Sequence, residues 1–117
     1  MQDCNTWDIV KVPFPYTDRP VREWRPALVI SAPFIRNEHG ILWVLMITSA
    51  ENRTWSCDVP VSDLTISGLP APSVIRTVKI ATIEQKEAKP LGVLCDKDRF
   101  QVSRYLQTIL DFSMFTP

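Results

Sequence analysis

Arg25 is the residue whose chemistry is most directly legible in this chain. It stands between Trp24 and Pro26, where a charged stretch gives way to the apolar run Pro26 to Ile30. A guanidinium keeps its proton, and its planar fork matches two oxygens of a phosphate. An arginine at the start of a strand therefore suits phosphate binding and neutralisation of charge. The plainer alternative is a surface ion pair with Glu23 or Asp18, which contributes little to stability. Thr48 and Ser49 end a second apolar run with two hydroxyls, placed to meet a phosphate or a sugar. Strand-to-loop turns favour the same residue types without any ligand. Arg76, after Ser73-Val74-Ile75, is either a further phosphate contact or an exposed strand residue. Asp18 and Glu23 are the nearest carboxylates in sequence for a general base, with Glu51 behind them. Arg22 and Arg53 add positive charge in the same two polar stretches. Trp24 and Trp55 offer ring faces on which a base could stack, whereas Trp43 has apolar neighbours and reads as core.

These side chains need a sheet to bring them together. Asp8 to Val12 reads as a first strand, which Pro13 and Pro15 should end or place at an edge. Tyr16 to Trp24 is a charged loop of functional length. Arg25 to Ser31 is a second strand, and Asn37-Glu38-His39-Gly40 a turn. Ile41 to Ile47 is apolar throughout and predicts a central strand buried on both faces; Thr48 to Arg53 leaves it as a polar loop. Trp55 to Val61 is a fourth strand. Val61 to Gly68 predicts one helical turn, with Ser62 or Asp63 near its start and Gly68 as its stop. Ser73 to Ile83 is one bent strand or two short ones. Asp96 to Phe112 predicts a helix with Asp96 as N-cap. Its apolar stripe is Val102, Leu106, Ile109 and Leu110, with Phe100 and Tyr105 at the flanks. The sum is a mainly β chain with a terminal helix (α+β), a small SH3-like barrel of five or six strands.

Composition narrows the function classes. At 117 residues the chain predicts one domain, residues 1–117. Thirteen basic and 13 acidic side chains leave no net charge, so a nucleic-acid site would be a local patch. No apolar run approaches the roughly 20 residues that span a bilayer, and the N-terminus carries no secretory pattern. Cys4, Cys57 and Cys95 form no CxxC pair and read as reduced thiols of a cytoplasmic protein. His39 reads as a solvated turn residue. No zinc-like spacing exists, nor a phosphate loop among 3 glycines, so neither metal nor cofactor is expected.

Several stretches carry a resemblance in their order and spacing. They are Asp8-Ile-Val-x-Val-Pro-Phe-Pro-Tyr-Thr-Asp18, Arg25-Pro-Ala-Leu-Val-Ile-Ser31, Ile47-Thr48-Ser49, Gly68 to Arg76, and Lys79 to Ile83. Together they span roughly residues 7 to 95 and resemble the PemK/MazF toxin endoribonucleases of bacterial toxin–antitoxin pairs. The resemblance implies a PemK-like barrel and a sequence-specific, metal-independent cut in single-stranded RNA. It also implies inhibition of translation and growth, a homodimer, and a cognate antitoxin whose disordered tail fills the RNA groove. By position, Arg25 would bind and stabilise the scissile phosphate and Thr48 would assist catalysis. Ser49, Arg76, Asp18, Arg22, Glu23, Trp24 and Arg53 would form the RNA-binding surroundings. Attack by the RNA 2′-hydroxyl would leave a 2′,3′-cyclic phosphate and a 5′-hydroxyl. Three departures stand out: Ala50 where many relatives have Gln, Val78 where one branch has a carboxylate, and Trp7 where many have glycine. Alternative readings are a non-catalytic barrel toxin acting by protein contact, as a gyrase poison does, or a degenerate relative that only binds antitoxin or RNA.

Overall fold

A computed structural model describes residues 4–15 and 22–111. The described strands are β1 (Asp8–Pro15), β2 (Arg22–Val29), β3 (Ile41–Ser49), β4 (Asp58–Pro60), β5 (Ser73–Glu84) and β6 (Lys89–Val93). The helices are α1 (Pro33–His39), α2 (Leu64–Ser67) and α3 (Asp96–Ile109), with a 3-10 turn at Gln85–Glu87. The strands form one sheet in the order β4-β5-β3-β2-β1-β6, and every pairing is antiparallel. The expected class, mainly β with a C-terminal helix, is what the chain adopts. The barrel is an open, bent sheet, because β4 and β6 remain its two ends.

Both faces of the sheet carry a core, which explains the unbroken apolar run of β3. Leu42, Val44 and Met46 join Val10, Val12, Phe14, Ala27, Val29 and Ile83 in one cluster. Leu45 and Ile47 join Ile9, Leu28, Val59, Ile75, Leu94 and Val102 in the other. Alternation along a strand sends successive side chains to opposite faces, so a strand covered on both sides must be apolar throughout. Each fully buried aliphatic side chain here is worth about 1.5–3 kcal/mol. Trp43 departs from its expected core role: it is 50 % exposed, at the end of β3 where neither cluster covers it.

The ends of the sheet are bridged by α2. Asp63 caps it, accepting from the Thr65 and Ile66 amides at 3.0 and 3.2 Å, and Gly68 ends it at φ 71°. The predicted turn at Val61 to Gly68 is thus present. The helix follows β4 in the chain but lies against β6. A Cβ on Gly68 would collide with the Leu91 carbonyl, and one on Gly92 with the backbone of Ile66 and Ser67. Two glycines thereby let the backbones of α2 and β6 meet.

Other boundaries shift for identifiable reasons. Residues 37–40, expected as a turn, are the last turn and cap of α1. Its Pro33 sits at the first helical position, and Gly40 ends it at φ 68°. Pro13 lies inside β1 and is buried, in the half of the strand that β6 does not pair. The fourth strand contracts from Trp55–Val61 to Asp58–Pro60, and Ser73–Glu84 is a single strand with a bulge opposite Leu45/Met46. Cys95, and not Asp96, is the N-cap of α3; Asp96 and Asp98 occupy its first turn. Asp98 is buried and pins the helix to the loop after β4, accepting from the Ser62 amide and hydroxyl, each at 2.7 Å. Of the apolar stripe, Val102 is buried and Leu106 packs on the core, while Ile109 and Leu110 are exposed. No described helix is long and apolar enough to cross a membrane.

Candidate active site

The site begins with a missing hydrogen-bond donor. The Ile30 amide donates to the Trp43 carbonyl at 2.9 Å, so the even-numbered residues of β2 turn their main-chain groups toward β3. Pro26 has this parity and no N–H to give. The β2–β3 ladder runs from Val29↔Val44 to Ala27↔Met46 and stops there, one residue short of the proline. Beyond that point the strands part. Arg25 and Pro26 line one side of the resulting cleft, and Ile47, Thr48 and Ser49 the other. Residues 69–73 form its third wall, and its volume is about 180 Å³.

Arg25 and Thr48 therefore share one concavity, as the sequence reading expects. Arg25 is held by β2 against Val12 of β1, and its Nη2 donates to Glu23 Oε2 at 3.0 Å. The two side chains are 39 % and 38 % exposed, so the pair is open to solvent and to a ligand. The ion pair expected from the plainer reading forms, and it leaves the arginine accessible. Thr48 is 6 % exposed. Its Oγ1 accepts from Asn52 Nδ2 at 2.6 Å, which fixes the hydroxyl at the end of β3. The Ser49 hydroxyl accepts from the Glu51 amide at 3.2 Å, and the Ala50 amide donates to the Pro72 carbonyl at 3.0 Å. Ala50 thus serves the turn through its backbone alone.

Arg76 does not line this cleft. It is 6 % exposed, where the alternative reading had it as an exposed strand residue. Its Nε and Nη2 donate to Asp58 Oδ1 and Oδ2 at 3.2 and 3.0 Å, and Nη2 also donates to the Arg53 carbonyl at 2.8 Å. Its guanidinium stacks 4.2 Å from the Trp55 ring centroid. Its Nε and Nη2 are thus committed to Asp58 of β4 and to the loop between β3 and β4. Arg53 is exposed beside Trp55, in a separate depression with Thr54, Ser56 and Val78. Trp24 is 47 % exposed. Asp18 and the Arg22 side chain lie outside the described residues, as does most of the expected loop Tyr16 to Trp24. Among the described residues no cluster of three or more His, Cys, Asp or Glu could hold a metal.

The sequence reading gave no role to Pro26, Asn52 or the wall at 69–73. Pro26 was visible as part of a motif, but its effect depends on strand parity, which only the register supplies.

The description PemK-like, MazF-like toxin of type II toxin-antitoxin system fits residues 5–110, by match to that family's model. A search of curated protein sequences returned no match. Among solved structures, the chain is similar to MazF from Deinococcus radiodurans, with TM-score 0.77 and 17 % identity over 93 % of this chain and 97 % of that one. An endoribonuclease in complex with its cognate antitoxin from a mycobacterial species gives TM-score 0.70 and 17 % identity over 90 % and 92 %. The Mycobacterium tuberculosis toxin MazF-mt6 gives TM-score 0.70 and 22 % identity over 90 % and 99 %.

Proposed function

Because this chain belongs to the PemK-like, MazF-like toxins of type II toxin–antitoxin systems, we propose that it is a sequence-specific endoribonuclease of single-stranded RNA whose cleavage needs no divalent metal. One observation carries the proposal: Arg25 and Thr48 line the same cleft. The whole chain, residues 1–117, acts as one toxin domain in the cytoplasm.

The RNA supplies its own nucleophile, the 2′-hydroxyl beside the scissile phosphate. Its oxygen bonds to phosphorus, the bond to the 5′-oxygen breaks, one proton leaves the 2′-hydroxyl and another reaches the 5′-oxygen. The products are a 2′,3′-cyclic phosphate and a 5′-hydroxyl. Arg25 binds the phosphate and neutralises charge on its equatorial oxygens as the bond changes occur. Thr48, with its hydroxyl oriented by Asn52, hydrogen-bonds the phosphate or the attacking sugar. Glu23, within reach of Arg25, is the described carboxylate best placed to take the 2′-hydroxyl proton.

The chain acts as a homodimer, and a cognate antitoxin neutralises it by offering an acidic segment to the cations that hold RNA. The solved antitoxin complexes of similar folds support that partner.

The test is cleavage of a mixed-sequence single-stranded RNA in EDTA, with Arg25→Ala alongside. The native protein should cut at a few sites, the variant should not, and DNA of the same sequence should stay intact. Comparable cutting of DNA would refute the 2′-hydroxyl mechanism. No cutting of RNA by the native protein would refute the enzyme reading for that substrate.

A further inference from the structure

A second set of side chains lies away from the Arg25 cleft, on the outer surface of β2, β1 and β6. Lys11 of β1 pairs with Pro26 of β2 on one side and with Lys89 of β6 on the other. Trp24 pairs with Pro13. Side chains two apart on a strand share a face, so Trp24, Lys11, Pro13 and Lys89 belong to one surface. The side chains agree: Lys89 reaches across β1, and its Nζ lies 4.8 Å from the centroid of the Trp24 ring. Trp24 is 47 % exposed, both lysines are exposed, and Pro13 is buried beneath them.

Two features of this surface favour a ligand. Lys11 and Lys89 stand directly opposite in an antiparallel pair, where like charges repel. Neither forms an ion pair among the described residues. The second feature is the large aromatic area left in water, bordered by cations. Both are relieved by a polyanion that also has a flat apolar face.

We infer that Trp24, Lys11 and Lys89 form a binding strip for single-stranded RNA; the choice of RNA rests on the proposed ribonuclease function. One base stacks on Trp24, and the two ammonium groups meet adjoining phosphates. Aromatic platforms interleaved with cations bind single strands in this way with little regard to sequence. Trp24 directly precedes Arg25 but points to the opposite face. The strip therefore holds RNA leaving the cleft, not the nucleotides being cut, and it sets affinity without choosing the bond.

The probe is a fluorescein-labelled, mixed-sequence RNA of 2′-O-methyl nucleotides, which cannot be cleaved by 2′-hydroxyl attack. Its affinity is read by anisotropy across a salt series, and thermal melting checks the fold. Trp24→Ala should weaken binding about tenfold without changing the salt slope. The double variant Lys11→Ala/Lys89→Ala should weaken binding similarly and lower the slope by about 1.4, two phosphate contacts of a single strand at about 0.7 each. Unchanged affinity and slope in both proteins, with melting preserved, would overturn the inference. So would loss of poly-glutamate binding with RNA affinity unchanged, which would assign the strip to an acidic polypeptide. Because the probe is uncleavable, the outcome does not depend on catalysis. If the native protein cuts no RNA, the ribonuclease reading falls while this measurement still decides the strip.

Discussion

Arg25 pairs with Glu23 within the protein, and the proposed function brings a phosphate to the same guanidinium. Its pair with Glu23 is more than one-third exposed on both sides, and such pairs contribute at most about 1 kcal/mol. A phosphate that accepts from the whole fork displaces it readily. Arg25→Ala should therefore lower the single-turnover cleavage rate by about 10²–10³ while leaving the melting temperature nearly unchanged. Arg25→Lys should recover little of that rate, because an ammonium offers a point charge in place of a fork. Arg76 is the opposite case. Its guanidinium is buried against Asp58, the Arg53 carbonyl and Trp55. Removing one partner of a buried pair costs about 3–5 kcal/mol, so Arg76→Ala should lower the unfolding free energy in urea by that much. A residue that served only as an RNA contact would instead lose affinity at constant stability. The motif around Arg25 pointed to a phosphate contact, and Arg25 does line a cleft with Thr48. The role of Arg76 was not legible, because its partner lies 18 positions away and meets it only through the β4–β5 register.

At the scale of elements, the cleft is a place where a ladder fails. Pro26 withholds the donor that would carry β2–β3 pairing one rung further, toward Ile47. Pro26→Ala should restore that rung and draw the strands together where the substrate must enter. The expected result is slowed hydrogen exchange at the new amide, unchanged or raised stability, and cleavage reduced about tenfold. An exchange rate at position 26 matching that of a solvent-exposed amide would show that something else parts the strands. The strands around this cleft were largely readable: β1, β2, β3 and β5 follow apolar runs near their predicted bounds, and α2 stops at the glycine expected. Two elements were not. α1 has no buried residue, so no apolar stripe announced it, and its end looked like a turn. β6 contains Pro90 and Gly92, which argue against a strand in isolation; it forms by pairing with β1, and Gly92 leaves room for α2 against it. Asp96 was a reasonable cap by type, but the chain enters α3 one residue earlier, and Asp98 is spent on Ser62.

For the whole molecule, charge balance decides how RNA is captured. The 13 basic and 13 acidic side chains cancel, so net charge supplies no long-range attraction for a polyanion. Binding must come from cations placed at contact. The proposed contacts, Arg25 in the cleft and Lys11 and Lys89 on the outer strip, would be three. At about 0.7 released counterions per phosphate of a single strand, log affinity against log salt should have a slope of about −2. A uniformly basic surface would give a much steeper slope. Titrating an uncleavable RNA between low and physiological salt measures it directly. The same balance bears on neutralisation. An acidic antitoxin segment finds no general positive field either, and must compete at the same few cations. Increasing salt should then weaken RNA and an acidic peptide in parallel, keeping their ratio roughly constant. A slope near zero for RNA would mean that stacking and shape carry recognition, and the cations named here would lose their assigned part in it.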